Sequence, residues 1–245
     1  MKLGSLRRSQ AGFSLIELSV VVAVLGAMTF VVTAGFENVQ AYRQHRQATA
    51  DAQAAYAAVR AFALRNRRLP CPDSSTDGRT MREAASPCAR PSGWLPYESI
   101  GLTPPAENAR MRYGVYIQGS TNLATPTASA SDGLDLDGVG GLLTSLVAAA
   151  THPGSTLTPY YVQGTTADSS AQCSSGNPTN PAFVIVAPAS DIERSGNNFE
   201  SVNQAFGLTS HCTSAPSHRA NAVLDDVVIA ESPHALLGWL TASLR

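Results

Sequence analysis

Proline is absent from Phe13 to Arg68, and from Glu37 onward glycine is absent as well, so the second half of that stretch holds no helix breaker. Charge is scarce in the first half: Glu17 is the single formally charged residue between Phe13 and Phe36. Catalytic signatures are missing too. There is no HExxH, no P-loop and no G-x-G-x-x-G, and no nucleophile elbow surrounds any serine. Asp225, His234 and the many serines therefore lie in no recognisable catalytic context, and the expectation is a chain that is not an enzyme and takes no cofactor. No C-x-x-C pair exists, so a zinc site assembled from His211, Cys212, His218 and Cys173 has little support, and no metal is assigned. No internal repeat is visible.

What the amino terminus does have is an apolar run opening Gly12-Phe13-Ser14-Leu15-Ile16-Glu17-Leu18. As a helix, residues 13–36 extend about 36 Å, enough to cross a hydrocarbon core of roughly 30 Å. A carboxylate in such a segment costs on the order of 2.5–3.5 kcal/mol at the bilayer centre, so Glu17 requires a use. Lys2, Arg7 and Arg8 precede the run, which keeps the amino terminus cytoplasmic and sends the remainder across the membrane. A secretory signal peptide has an apolar region of about 7–15 residues, shorter than this one. A plain single-pass anchor gives Glu17 nothing to do.

Taken together, the basic leader, Gly12, Phe13, the FSLIEL block and the apolar helix resemble the start of type IV prepilins and type II secretion pseudopilins. The resemblance covers Met1 to about Phe36. It implies that a prepilin peptidase cuts after Gly12 and methylates the new terminus at Phe13. It also implies that Glu17 pairs with the amino terminus of a neighbouring pilin or pseudopilin subunit. The chemistry agrees: cleavage creates an ammonium with a pKa near 8, and its attraction to a carboxylate is far stronger in a dry helix bundle than in water.

The helix is expected to continue to about residue 67. Residues 37–68 are rich in alanine, glutamine and arginine, and Val39, Tyr42, Ala48, Ala52, Tyr56, Val59 and Phe62/Ala63 recur near a 3.6-residue period. Pro70 then ends it. The chain divides into a leader (1–12), a membrane or filament-core segment (13–36), an amphipathic continuation (37–68) and an extracytoplasmic head (69–245). In the head, strands are read at 113–118, 160–163, 182–187 and 223–230, and short helices at 142–150, 199–206 and 233–244, the last amphipathic through Leu236, Leu237, Trp239, Leu240 and Leu244. Residues 120–131 and 165–181 read as exposed loops. The fold class is α+β: a long helix, half transmembrane and half amphipathic, packed on an antiparallel sheet, as the pilin resemblance also implies.

Cys71, Cys88, Cys173 and Cys212 all fall in the head, and an even count on the translocated side of a membrane favours disulfides. Chain order suggests Cys71–Cys88 and Cys173–Cys212, but four cysteines allow three pairings. A second resemblance, to minor-pilin-like proteins of Gram-negative bacteria, rests on Leu69-Pro70-Cys71-Pro72-Asp73, Gly93-Trp94-Leu95-Pro96-Tyr97 with Gly101-Leu102, and Leu224-Asp225-Asp226-Val227-Val228 with Ser232-Pro233. Trp94, Tyr97 and Leu102 are expected to fill the core where helix meets sheet. Asp132, Asp135 and Asp137, with their interleaved glycines, offer oxygen ligands to calcium, although the spacing is not that of an EF-hand and solvated turn aspartates are the more frequent explanation.

The stalk, 13–68, carries six arginines against three acids, net +3, and the head eight arginines against fifteen acids, net −7. An acidic head repels phosphate backbones, so no nucleic acid is expected as partner; a local patch at Arg110 and Arg112 is the one alternative. The expected location is the inner membrane with the head in the periplasm, followed by the filament. The leading function is a minor pilin or pseudopilin. The alternatives are a pilus-tip adhesin and a membrane-anchored periplasmic domain that never polymerises.

Overall fold

Alanine-rich sequence without proline makes one long helix, α1 (Leu15–Asn66), and its end is specified locally. Leu69 precedes Pro70 and is held out of the helical region, while Arg67 turns left-handed (φ 57°) and returns its N–H to Ala63 O at 2.8 Å. This computed structural model describes residues 15–84, 88, 90–126, 141–163, 173, 176–192 and 194–243, and of residues 30–38 the backbone alone. Residues 1–43 and 44–245 are two separate compact units, and each is described by itself.

In the second unit, α1 is followed by β1 (Ser92–Trp94), α2 (Tyr97–Ile100), β2 (Arg112–Val115), β3 (Ile117–Gln118), β4 (Thr121–Asn122), α3 (Leu142–Thr151), β5 (Tyr160–Val162), β6 (Pro178–Thr179), β7 (Phe183–Ala187), β8 (Cys212–Thr213), β9 (Val227–Glu231) and α4 (Pro233–Ser243). The main sheet runs β1-β2-β7-β9, antiparallel throughout, with Tyr113 opposite Ile185 and Ile185 opposite Ile229. A smaller sheet joins β5 antiparallel to β6 and parallel to β8. β3 and β4 form a hairpin whose two-residue loop opens on Gly119 at φ 58°, a position that favours glycine.

β7 is buried along its whole length because both faces of the sheet are covered. Phe183 and Ile185 face a cluster with Ala52, Ala55, Val59 and Phe62 of α1, and Tyr56 meets Phe183 with ring centroids 5.6 Å apart. Val184 and Val186 face Phe199 and Phe206 from the chain between β7 and β9. Burying each large apolar side chain contributes roughly 1.5–3 kcal/mol, so this double coverage dominates the stability of the unit. α3 and α4 add Leu142, Leu146, Leu236 and Leu240 to the α1 side, with Leu237 and Trp239 half-buried beside them.

Several expectations need correction. Val39 and Tyr42 are exposed; the buried stripe of α1 begins at Ala48 and includes Ala55. The strand read at 113–118 is two strands, broken at Tyr116. The strand read at 223–230 starts four residues later, because Asn221 Oδ1 accepts the N–H groups of Val223 and Leu224 and holds them in a turn. The helix read at 199–206 is a single 3-10 turn, Ser201–Gln204. Within the stretches read as exposed loops, Leu123 and Ala124 are buried and Pro178–Thr179 forms β6. Tyr97 and Leu102 pack in the α1-side cluster as expected, whereas Trp94 sits on the other face against Phe199. Leu244 lies outside the described residues.

Disulfides join Cys71 to Cys88 and Cys173 to Cys212. The first closes the segment that leaves α1, and an ionic clasp reinforces it. Arg68 grips Glu83 with two parallel bonds of 2.6 and 2.9 Å, and Glu83 Oε1 also accepts the Cys71 N–H at 2.7 Å.

Candidate functional site

In the amino-terminal unit, the large apolar side chains between Leu15 and Thr29 are exposed in unbroken succession. Val20, Val21 and Val22 are all open, and Ile16 is 71% exposed. Successive residues on a helix point about 100° apart, so the apolar surface goes all the way round rather than forming one stripe. The hydroxyls in this segment are spent internally: Ser19 donates to Ile16 O at 2.8 Å, and Thr29 donates to Leu25 O. Glu17 is the one charge, exposed, in the first turn, where the helix dipole favours an anion. Among the described residues no helix is long and apolar enough to cross a membrane. Gly12 and Phe13, the expected cleavage and methylation positions, lie outside the described residues, as do Asp132, Asp135 and Asp137.

The second unit contains a feature the sequence reading missed. Glu200, Asp225 and Asp226 are all buried, and each offers a carboxylate oxygen within 4.8 Å of the others. Glu200 comes from the residue before the 3-10 turn, and the aspartates come from the loop entering β9. Asp226 Oδ2 accepts the Glu200 N–H at 3.1 Å and Asn203 Nδ2 at 2.9 Å. Asp225 takes both the hydroxyl and the N–H of Ser190. Glu200 Oε2 and Asp226 Oδ1 are buried with no hydrogen-bond partner among the described residues. Burial, followed by the charge of Asp226 and then of Asp225, pushes the Glu200 carboxyl well above its ordinary range. Burial likewise raises Asp226, against the lowering effect of its hydrogen bonds.

Arg112, on β2, faces this cluster from the sheet. It is buried, its guanidinium lies 4.4 Å from the Phe199 ring and 5.0 Å from Trp94, and Nη1 donates to the carbonyls of Asn203, Gln204 and Phe206. Desolvation lowers its pKa to about 10, with Asp226 opposing the shift. The signal for the cluster was the adjacent pair Asp225-Asp226 inside an otherwise apolar stretch.

Residues 7–33 match the family model described as the prokaryotic N-terminal methylation motif. The chain carries this motif at its amino terminus. That motif is the hallmark of type IV prepilin-like proteins and pseudopilins. It implies processing by a prepilin peptidase, attachment to a membrane and general assembly with other pilins. No curated protein and no solved structure matches the chain significantly.

The remaining candidates resolve as follows. Cys173 and Cys212 are bonded to each other and offer no thiolate, so the zinc alternative with His211 and His218 falls. His211 instead lies 2.8 Å from Ser92 Oγ. Asp225 and His234 are not brought together as a catalytic pair: Asp225 is buried against Ser190, and His234 is exposed at the start of α4. Arg110 and Arg112 form no phosphate patch, since both are buried; Arg110 Nη1 donates to Asp77 O at 2.9 Å. Two motifs of the second resemblance, Leu69–Asp73 and Gly93–Tyr97, meet in space. Asp73 and Trp94 exchange backbone hydrogen bonds of 2.9 and 3.0 Å, tying the segment after α1 to β1.

Proposed function

We propose that this chain is a structural, non-catalytic subunit, a minor pilin or pseudopilin, of a type IV pilus or type II secretion filament. Prepilin peptidase cuts after Gly12 and methylates Phe13, and residues 13–36 then pass from the inner membrane into the filament core. Glu17 pairs there with the new terminal ammonium of an adjacent subunit and sets the stagger between them. The head stays in the periplasm until assembly, an oxidising compartment that suits its two disulfides.

The observation that carries this reading is the apolar surface encircling the start of α1, with Glu17 as its one charge, inside the matched motif. Such a surface is stable only when covered, and an acid within it needs an opposite charge. The test is Glu17→Ala. Leader cleavage stays intact while the subunit disappears from sheared filaments. Mutant subunit at wild-type levels in those filaments would remove the assembly role.

A further inference from the structure

Two adjoining cavities open on the head where the chain after β7 meets the 3-10 turn Glu107–Ala109, and assembly through the start of α1 uses neither. The larger, of about 400 Å³, is walled by the rings of Trp94 and Phe199 and by Asn108, Asn197, Asn198 and Glu107. The smaller, of about 180 Å³, shares Asn108 and Asn198 with it. Its floor is made of the buried Ala48, Met111, Ala187 and Pro188, and Gln44 and Asp51 also line it. Convergent polar groups set against an apolar wall are the usual makings of a small-molecule site.

The polar groups are available. Asn108 and Asn198 make no side-chain hydrogen bond among the described residues, and Asn197 spends only Oδ1, on the Phe199 N–H at 3.1 Å. A primary amide carries two donors and an acceptor, the complement of neighbouring hydroxyls that each donate and accept. The aromatic wall is held in place from the protein side. Its two rings lie 6.1 Å apart and tilted by 59°, and the buried Arg112 guanidinium packs against both.

Charge and backbone pairing narrow the ligand. Neither cavity is lined by a lysine or an arginine, whereas Glu107 and Asp51 line them, so a phosphate or a uronic acid meets no counter-charge. A wholly apolar ligand would strip water from the asparagines and leave them unpaired. A peptide added as a strand finds no free edge, because β1 is bonded to β2 on one side and bridged to Asp73 on the other.

We propose that these paired cavities bind a neutral oligosaccharide. Its hydroxyls pair with the amides of Asn108, Asn197 and Asn198, and its C–H faces lie against Trp94 and Phe199 in one cavity and Met111 and Pro188 in the other. The cavities meet at Asn108 and Asn198, so successive sugar rings occupy them in turn. Nothing in the site depends on Glu17 or on polymerisation.

The test uses the full chain in a detergent without a sugar headgroup. Trp239→Phe leaves Trp94 as the sole indole, so its emission reports the larger cavity. Cellotetraose, maltotetraose and chitotetraose are titrated separately, with saturation-transfer NMR on the wild-type chain as a second readout. A saturable response to at least one of them is expected, and none to its sulfated form. Asn108→Ala and Asn198→Ala are each expected to weaken that binding about tenfold without moving the melting midpoint, because neither amide has a partner to lose. The site is overturned if no glycan binds by either readout, if either asparagine variant binds as the wild type does, or if the sulfated glycan binds equally well. A blocked Ser-Gly-Ser-Gly peptide that displaces the glycan at equal concentration overturns the ligand class. Should Trp239→Phe fail to fold, NMR on the wild type and the asparagine variants decides by the same outcomes.

Discussion

Arg60 reaches from α1 to Glu231 at the end of β9, with Nη2 2.7 Å from Oε1. Tyr56, one turn earlier, donates its hydroxyl to the other oxygen of the same carboxylate. The guanidinium also lies 4.6 Å from the Tyr56 ring and 4.9 Å from Trp239 of α4. One acid on the edge strand thus fixes the helix, the sheet and the final helix to one another. Its proximity, after burial, pushes the Tyr56 hydroxyl up to about 12.

Arg60→Ala is therefore expected to destabilise the head by about 3 kcal/mol, since it leaves a buried carboxylate without its cation. Glu231→Gln retains the Tyr56 contact and is expected to cost less. Urea unfolding of the two variants side by side measures the difference, and equal midpoints would remove the claim that Arg60 compensates Glu231.

Gly93 lies against the segment that leaves α1. A Cβ there meets the Asp73 carbonyl oxygen at 2.4 Å and Pro72 Cβ at 3.2 Å, and the first of these is backbone that cannot rotate away. Gly93→Ala is expected to part the Asp73–Trp94 hydrogen bonds at a cost of about 1–3 kcal/mol. Gly101→Ala, where no atom lies near but the backbone is left-handed, is the comparison that isolates the clash from strain. Faster hydrogen exchange at Asp73 and Trp94 N–H in the first variant alone is the expected result.

Glu200 and Asp226 give the head a pH dependence of definite sign. Both carboxyls titrate higher in the folded chain than in the unfolded one, so the folded state binds more protons. Their contribution is fully present below the ordinary carboxylate range and is lost as pH rises through neutrality and beyond. Thermal stability is expected to fall over that interval, and Glu200→Gln to flatten the fall. A wild-type midpoint that climbs across the same interval contradicts the assignment.

Gly12→Val is expected to leave an uncut precursor on a gel, because a branched side chain replaces the smallest residue at the scissile position. Mature protein of normal size from that variant would count against cleavage at this site.

Most of the architecture could be read in one dimension. The lack of proline from Phe13 to Arg68 and of glycine from Glu37, the stop at Pro70 and the apolar residues within 182–187 and 223–230 carry α1, β7 and most of β9. The misreadings arise where side chains capture backbone groups. Asn221 holds Val223 and Leu224 out of β9, and Asp226 takes the N–H of Glu200 where a longer helix was expected. The amino-terminal motif is contiguous and therefore legible. The acidic cluster is not: Glu200 and Asp226 are 26 residues apart and meet because β9 returns beside β7. Nothing in local periodicity reports that encounter.

The junction after α1 leaves no slack. Leu69 N–H is bonded to Leu123 O at 2.8 Å, Arg68 and Cys71 share Glu83, and a covalent bridge follows at once. Tension drawn along the helix beyond Gln44 reaches the sheet through bonds that must break before anything lengthens. A domain clasped in this manner meets a pull as a rigid load, not as a weight on a tether.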